Sequence, residues 1–446
     1  MEEYRLGELR HLLTTVFLSG FSEFLVKPVM TDVTVAAVCS GLNETCSLAV
    51  YLTGVEQVTV GLGTMVMMPV IGNLSDRYGI KTLLTLPMCL SILPPAILAY
   101  RRDTNFFYAF YITKILFDMA KNVCGRKRIS MFGVLAGVRS ISGVCATFSA
   151  RLLPITSIFQ VAAISFFFGL VYMRVFLKER LHDDDEDDCD EDDNTSGRNH
   201  HDGGDLTMLA EPILRDAPTK IHIVLNTKYS SLKDMVSLIK NSTILVQTLV
   251  VTFFATFAQS GMQSAFLYFL KARFGFNKND FAELILLVTI IGSISQLFIL
   301  PKLVSAIGER RVLSTGLLMD SVNAACLSVS WSAWVPYATT VLVPVTMFVM
   351  PSVCGIASRQ VGPGEQGKVQ GCISGVKSFS GVVAPFIYSP LTALFLSEKA
   401  PFYFPGFSLL CVTFSLMIGF FLSLLIRDVP SPSMNKAINN ISREEA

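Results

Sequence analysis

"GVLAGVRSISGV" occupies Gly133–Val144 and "GCISGVKSFSGV" occupies Gly371–Val382. Both fit Gly-x-x-x-Gly-Val-(cation)-Ser-x-Ser-Gly-Val, with the matches 238 residues apart. A phrase repeated at this distance marks a chain built from two equivalent halves. In each copy the Gly-x-x-x-Gly spacing sets two glycines one turn apart on a single face, where another helix can approach closely. Arg139 and Lys377 stand about 12 Å along their helices at a rise of about 1.5 Å per residue. A cation near mid-membrane costs on the order of 3 kcal/mol on insertion scales. Two cations at equivalent positions therefore face a watery cavity or an acidic partner, unless both snorkel to the cytosolic edge.

The rest of the 446-residue chain agrees with a membrane setting. Hydrophobic residues make up 51% and charged residues 16%, with a mean hydropathy of +0.52. A soluble chain would carry about 25% charged residues. Apolar runs long enough to cross a bilayer recur throughout. The expected crossings are Leu12–Met30, Leu48–Ile71, Thr82–Tyr100, Phe106–Ala120, Met131–Leu153 and Ile155–Leu177, then Thr243–Leu270, Phe281–Leu300, Val312–Ser330, Val335–Ile356, Val369–Leu396 and Phe402–Ile426. The fold class is thus all-α and polytopic, with the repeated phrase on helices 5 and 11, running in the same direction.

Helix 4 is expected to be short, with Phe106–Ala120 at about 15 residues against the roughly 20 needed to span. Borrowing Lys121–Cys124 lets it reach across, or the membrane thins locally. A splice or gene-model variant with impaired transport is the other reading of that shortening.

Short loops on the side of the N-terminus hold about thirteen Lys and Arg against about six on the other side, which puts both termini in the cytosol. The N-terminus is polar and mixed in charge, with no cleavable signal pattern expected before helix 1. The near-neutral net charge of +1 gives no reason to expect nucleic acid as a partner. Cys39 and Cys46 bracket "CSGLNETC", which also holds the sequon at Asn43, and they pair if that side is oxidising.

Composition breaks sharply between residues 178 and 240. Ten acids fall within residues 183–193, and such a run repels itself rather than folding alone. The expected organisation is a six-helix half at 1–177, an acidic cytosolic linker at 178–240, a second half at 241–427 and a cytosolic tail at 428–446. His182, His200 and His201 in the linker are a weak metal candidate, without tetrahedral spacing. No metal or other cofactor is expected.

"GNLSDRYGIK" (Gly72–Lys81) resembles the signature loop of the major facilitator superfamily, with Gly72, Leu74, Ser75, Asp76, Arg77, Gly79 and Lys81 matching and Ile80 departing. A weaker second copy, "LVSAIGERRVL" (Leu303–Leu313), aligns through Gly308. "GEQGKVQGCISGVKSFSGVVAPFIYSPL" (Gly364–Leu391) resembles tetracycline/proton antiporters, and the chain as a whole is similar to the hippocampus-abundant-transcript-like branch, plant-type members included. The resemblance implies twelve helices as two parallel repeats, with the solute handled between them. It also implies that Gly72, Asp76, Arg77, Gly79 and Lys81 form a conformational-switch loop. The antiporter motif of helix 5 is degenerate, with Arg139 and Ser140 where small residues belong.

Ionisable groups inside crossings are functional candidates by default. Glu23 and Lys27 lie four apart on helix 1, and Lys114 and Asp118 repeat the spacing on helix 4, each able to pair within its helix. The resemblance places helices 1, 4, 7 and 10 around a central cavity. The proton and substrate path is therefore expected to use Glu23, Lys27, Lys114, Asp118, Arg139 and Lys377. Gln259 and Gln263 on helix 7 are expected to help recognise the solute. Glu56 is a candidate to meet helix 11, and Asp320 is read as structural.

The expected function is a proton-linked secondary transporter of a small organic solute, a monomer in the lipid bilayer, and not an enzyme. "GPGEQGKV" (Gly362–Val369) offers Val369 where a phosphate loop needs Ser or Thr. A non-transporting receptor or scaffold is the rival reading. Protease applied to the cytosolic face of sealed vesicles is expected to cut within 178–240, whereas cutting from the opposite face alone would invert the topology.

Overall fold

The computed structural model describes residues 2–39, 47–124, 132–176, 242–361, 366–397 and 400–426, and these are helical with short connections. In chain order the helices are α1 (Glu2–Val38), α2 (Ser47–Tyr100), α3 (Thr104–Cys124), α4 (Phe132–Leu152) and α5 (Ile155–Phe176). The second set is α6 (Thr243–Phe274), α7 (Lys278–Ile294), α8 (Leu300–Ile307), α9 (Glu309–Ser328), α10 (Val335–Thr339), α11 (Val343–Thr346), α12 (Val349–Ser358), α13 (Gln366–Phe395) and α14 (Phe407–Leu424). The 178–240 segment and the 428–446 tail, with His182, His200 and His201, lie outside the described residues.

Among the described residues, six stretches are by themselves long and apolar enough to cross a membrane: Arg10–Val38, Ile155–Phe176, Thr243–Phe274, Val335–Ser358, Gln366–Phe395 and Phe407–Leu424. Helices α3 and α4 are less apolar because they carry Lys114, Asp118, Lys121, Arg139 and Arg151. Large apolar side chains such as Phe148, Phe167, Phe168, Phe386, Phe414 and Phe421 are exposed, the surface that lipid tails solvate.

The expected loop at Gly72–Lys81 falls within α2, a single helical element of 54 residues from Ser47 to Tyr100. This element does not run straight. A straight helix would put Leu52 and Leu98 about 70 Å apart, yet Leu52 packs against the same apolar cluster that buries Leu98. The element therefore reverses direction between these residues, and its two arms lie side by side. Helix α3 takes in Lys121–Cys124 and reaches 21 residues, about 31 Å. That length matches the roughly 30 Å hydrocarbon thickness of a bilayer.

Breaks in the second set have local causes. Gly308 turns the chain between α8 and α9 at φ +83°, a conformation that glycine adopts without a Cβ penalty. The α6 helix stops at Gly275, φ +67°, whose N–H bonds the Lys271 carbonyl. Asn277 and Asp280 then form a capping box that starts α7. Pro336, Pro344 and Pro351 fragment the stretch 335–358 by removing backbone donors. The Ser295 hydroxyl, in a π turn at Ser295–Ile299, donates to the Pro344 carbonyl at 2.6 Å.

Each set has its own core at the end of the bundle where α1 gives way to α2, called here the distal end. In the first set Leu25, Val29, Leu98, Phe107, Phe110, Ala146, Ile158 and Phe159 are buried together. In the second, Phe269, Leu270, Phe276, Phe281, Leu327 and Leu409 are. Cys39, Ala49, Val50, Tyr268 and Ala393 join the sets. Cys39 is disulfide-bonded, and Cys46 lies outside the described residues.

Close helix approach uses other glycines than the repeated phrase suggests. A Cβ on Gly137, Gly371 or Gly375 would meet nothing within 4 Å, so this spacing does not carry the close contacts. The approach falls instead at Gly54 and Gly61 of α2, where Ser389 and Val382 of α13 press in, and at Gly261 of α6, against the Tyr388 ring. At Gly143 of α4 the neighbour is Thr289 of α7, 3.1 Å from the ideal Cβ position. Replacing Gly261 with Ala sets a methyl 2.5 Å from two carbons of the fully buried Tyr388 ring. We expect Gly261→Ala to destabilise the folded protein by about 1–3 kcal/mol, read as a lower melting temperature in detergent, while Gly371→Ala is neutral.

Candidate functional site

Helices α1 and α6 are enclosed by their neighbours, and each opens at mid-depth. Between His11 and Val35 the exposed residue of α1 is Lys27, and between Val251 and Leu270 the exposed residues of α6 are Gln259 and Gln263. Exposure confined to polar side chains on two enclosed helices marks a polar opening inside the bundle.

Glu23 is the centre of the charges around that opening. Its carboxylate lies 2.7 Å from the Lys121 Nζ of α3, 2.9 Å from the Arg139 guanidinium of α4, and 4.0 Å from the Lys27 Nζ on its own helix. The Phe24 ring sits beneath two of these cations, 4.1 Å from Lys27 and 5.4 Å from Arg139, within cation–π range. Beside this group Lys114 pairs with Glu56 of α2 and, at 3.5 Å, with Asp118 of α3. Removing one partner from such a cluster leaves an uncompensated charge, which costs more than the pair contributes.

The sequence-expected residues are distributed as follows. Glu23, Lys27 and Arg139 share one cluster, and Lys114 and Asp118 form the adjoining one. Arg139 has the acidic partner rather than a snorkelling position. Glu56 meets Lys114 rather than helix 11. Lys377 is exposed on α13, three residues before Ser380, whose hydroxyl lies 2.6 Å from that of Thr256. Asp320 is largely shielded on α9. Gly72, Asp76, Arg77, Gly79 and Lys81 lie on α2, and their side chains are outside the described residues.

Lys121 was missing from the expected set, although Lys114, Asp118 and Lys121 follow the helical spacing that puts them on one face. Also missing was the pair of Asp32 on α1 with Lys271 on α6, since both fall at expected helix ends.

This pair belongs to a seam between the two helix sets. The Tyr268 hydroxyl lies 2.7 Å from that of Thr53 and donates to the Ala49 carbonyl at 3.2 Å. Ser389 donates to the Val50 carbonyl at 2.8 Å and Ser264 to Gln57 at 2.7 Å. On the other flank Lys278 donates to the Leu153 carbonyl at 2.7 Å, and Arg151 lies 3.8 Å from Glu283. These polar contacts between described residues all fall in the distal half of the bundle. Among groups of His, Cys, Asp and Glu there, none of three or more is arranged to hold a metal ion, within the described residues.

Two helix sets joined along a distal seam, with an ion-paired polar cluster at mid-depth, define a polytopic helical membrane protein. The sequence profile of the Major Facilitator Superfamily matches residues 12–385, and the chain belongs to that family. It is 23% identical over 411 residues to human hippocampus abundant transcript-like protein 1, covering 88% of this chain and 72% of the relative. The match to the mouse protein of that name is 26% over a shorter stretch, 36% of this chain and about a third (32%) of the relative's length. The class B tetracycline resistance protein of Escherichia coli is 21% identical over 352 residues, 75% of this chain and 78% of that protein. Among solved structures, a bacterial homolog of the human lysosomal transporter Spinster, in an inward-facing and unoccupied conformation, superposes with a TM-score of 0.64 at 12% identity. It covers 97% of this chain and 100% of that one. The family and this solved neighbour are transporters rather than enzymes.

Because Asp32–Lys271 bridges the sets at the distal end, Asp32→Asn is expected to favour opening there. In a protein whose exposed Cys89 and Cys145 are replaced, a cysteine at Gln263 should react several-fold faster with a membrane-impermeant maleimide added from the distal side. An unchanged rate would show that the ion pair does not hold the seam.

Proposed function

We infer that this chain is a secondary active transporter of a small organic solute, driven by protons and working by alternating access between halves 1–177 and 241–427. The observation that carries this reading is Glu23, an acid at the centre of enclosed α1 with cations from three helices around it. The distal seam supports a conformer whose opening faces the other side, the cytosol if both termini lie there.

Glu23 serves as the proton-responsive acid and Asp118 as the second. Lys27 on α1, Arg139 on α4 and Lys121 on α3 face Glu23, with Lys114, Asp118 and Glu56 beyond them. The charged groups of α5 and α7 lie towards the helix ends and do not reach it. An opposite charge at this range favours the ionised carboxylate, so withdrawing the cations favours proton uptake. A conformational change or solute that draws Arg139 or Lys27 away thereby couples protonation to transport. Asp76 acts as the latch of the 72–81 switch, as the family resemblance implies.

Proteoliposomes holding the purified chain and an imposed pH gradient test the reading across a panel of radiolabelled solutes. Accumulation is expected to follow the gradient in the wild type and to be lost in Glu23→Gln, with slower exchange down the solute's own gradient persisting. Full gradient-driven accumulation by Glu23→Gln would make Glu23 a structural partner and turn attention to Asp118. Absence of flux for every solute would favour a non-transporting receptor or scaffold.

A further inference from the structure

Among the described residues, the ion-paired groups here carry four cations, Lys27, Lys114, Lys121 and Arg139, against three anions, Glu23, Glu56 and Asp118. The surplus is concentrated in two side chains. Lys27 stands 4.0 Å from Glu23, beyond hydrogen-bond reach, and its side chain is 46% exposed. Arg139 presents a planar fork of five N–H donors, engages Glu23 through one terminal nitrogen, and is 41% exposed. Both cations sit over the Phe24 ring. On α6 the exposed Gln259 and Gln263 offer neutral donors and acceptors.

We propose that the solute is an organic anion, whose carboxylate or equivalent acidic group binds between Lys27 and Arg139 while its apolar part lies against Phe24. This rests on the transporter reading and names its substrate class. A solute carboxylate matches the Arg139 fork bidentately and supplies the hydrogen-bond acceptor that Lys27 lacks. It competes with Glu23 for the same cations. Anion binding and a charged Glu23 therefore oppose each other, and the solute enters most favourably when Glu23 carries a proton. A cationic solute, by contrast, would meet the positive surplus with no free carboxylate to receive it.

Binding and flux separate the two ideas. Thermal stabilisation of the purified full-length protein is measured with benzoate, 2-oxoglutarate and inorganic phosphate at matched ionic strength, beside tetraethylammonium and glucose. Benzoate or 2-oxoglutarate is expected to stabilise the wild type. Lys27→Gln and Arg139→Gln should each weaken that binding about tenfold or more, the loss of one charge-assisted hydrogen bond. Glu23→Gln should tighten it and remove its dependence on pH. Lys27→Gln breaks no hydrogen bond and leaves Glu23 paired with Lys121 and Arg139, so it should lower the ligand-free melting temperature less than Arg139→Gln does.

The proposal is overturned if neither carboxylate stabilises the wild type, or if stabilisation survives Lys27→Gln and Arg139→Gln combined. Stabilisation by phosphate alone likewise overturns it in favour of an inorganic anion. Uptake of tetraethylammonium or glucose without carboxylate binding would sink the anion site and leave transport standing. Carboxylate binding without flux would do the reverse.

Discussion

A carboxylate in the middle of a membrane protein must be neutralised, and Glu23 is neutralised from three helices at once. The arrangement of the first helix set follows from that requirement. Helix α1 has to lie where α3 can bring Lys121 and α4 can bring Arg139 within 3 Å. The cost of a lone mid-membrane charge, about 3 kcal/mol or more, then works in favour of assembly, because each helix is unfavourable in lipid until it meets the others. Lys114 repeats the logic between α3 and α2 through Glu56. Polar side chains thus select the neighbours, and the apolar cluster at the distal end fills the space between them.

Small side chains set the distances that make those charge contacts reachable. Lipid tails are as apolar as leucine, so packing quality rather than water avoidance drives helices together. Gly54, Gly61 and Gly261 let α2, α6 and α13 approach along a continuous line, with Ser389, Val382 and Tyr388 filling the space a side chain would take. The buried hydroxyls of Thr256 and Ser380 bond across the same line. A helix set held this closely at its centre presents Gln259 and Gln263 at a defined depth.

Much of this was legible in the sequence and some was not. The repeated phrase, the apolar runs and the 72–81 signature point to a major facilitator chain, and the family profile agrees. Glu23, Lys27, Lys114 and Asp118 stood out because isolated charges in apolar runs are conspicuous. Their partners did not, since Lys121, Asp32 and Lys271 sit where a hydropathy reading already ends the helix. Pairing across helices depends on three-dimensional neighbours, which a single sequence does not contain, and this is why Glu56 was assigned to the wrong helix. The glycine spacing misled for a related reason. Two glycines one turn apart permit contact, but the partner helix decides whether it forms, and Gly371 and Gly375 meet no neighbour within 4 Å.

The distal seam is built mostly from single hydroxyls, a lysine–carbonyl bond and two ion pairs, with a small apolar patch around Tyr268. Hydrogen bonds of this kind between membrane helices are worth about 0.6 kcal/mol each on average. A handful of them amounts to a few kcal/mol, comparable to the binding free energy of a millimolar solute, about 4 kcal/mol. A seam of that strength is deep enough to define a resting state and shallow enough for one bound molecule to tip. In the transport reading proposed above, solute occupancy is enough to part the two sets, and the proton gradient sets the direction of the cycle.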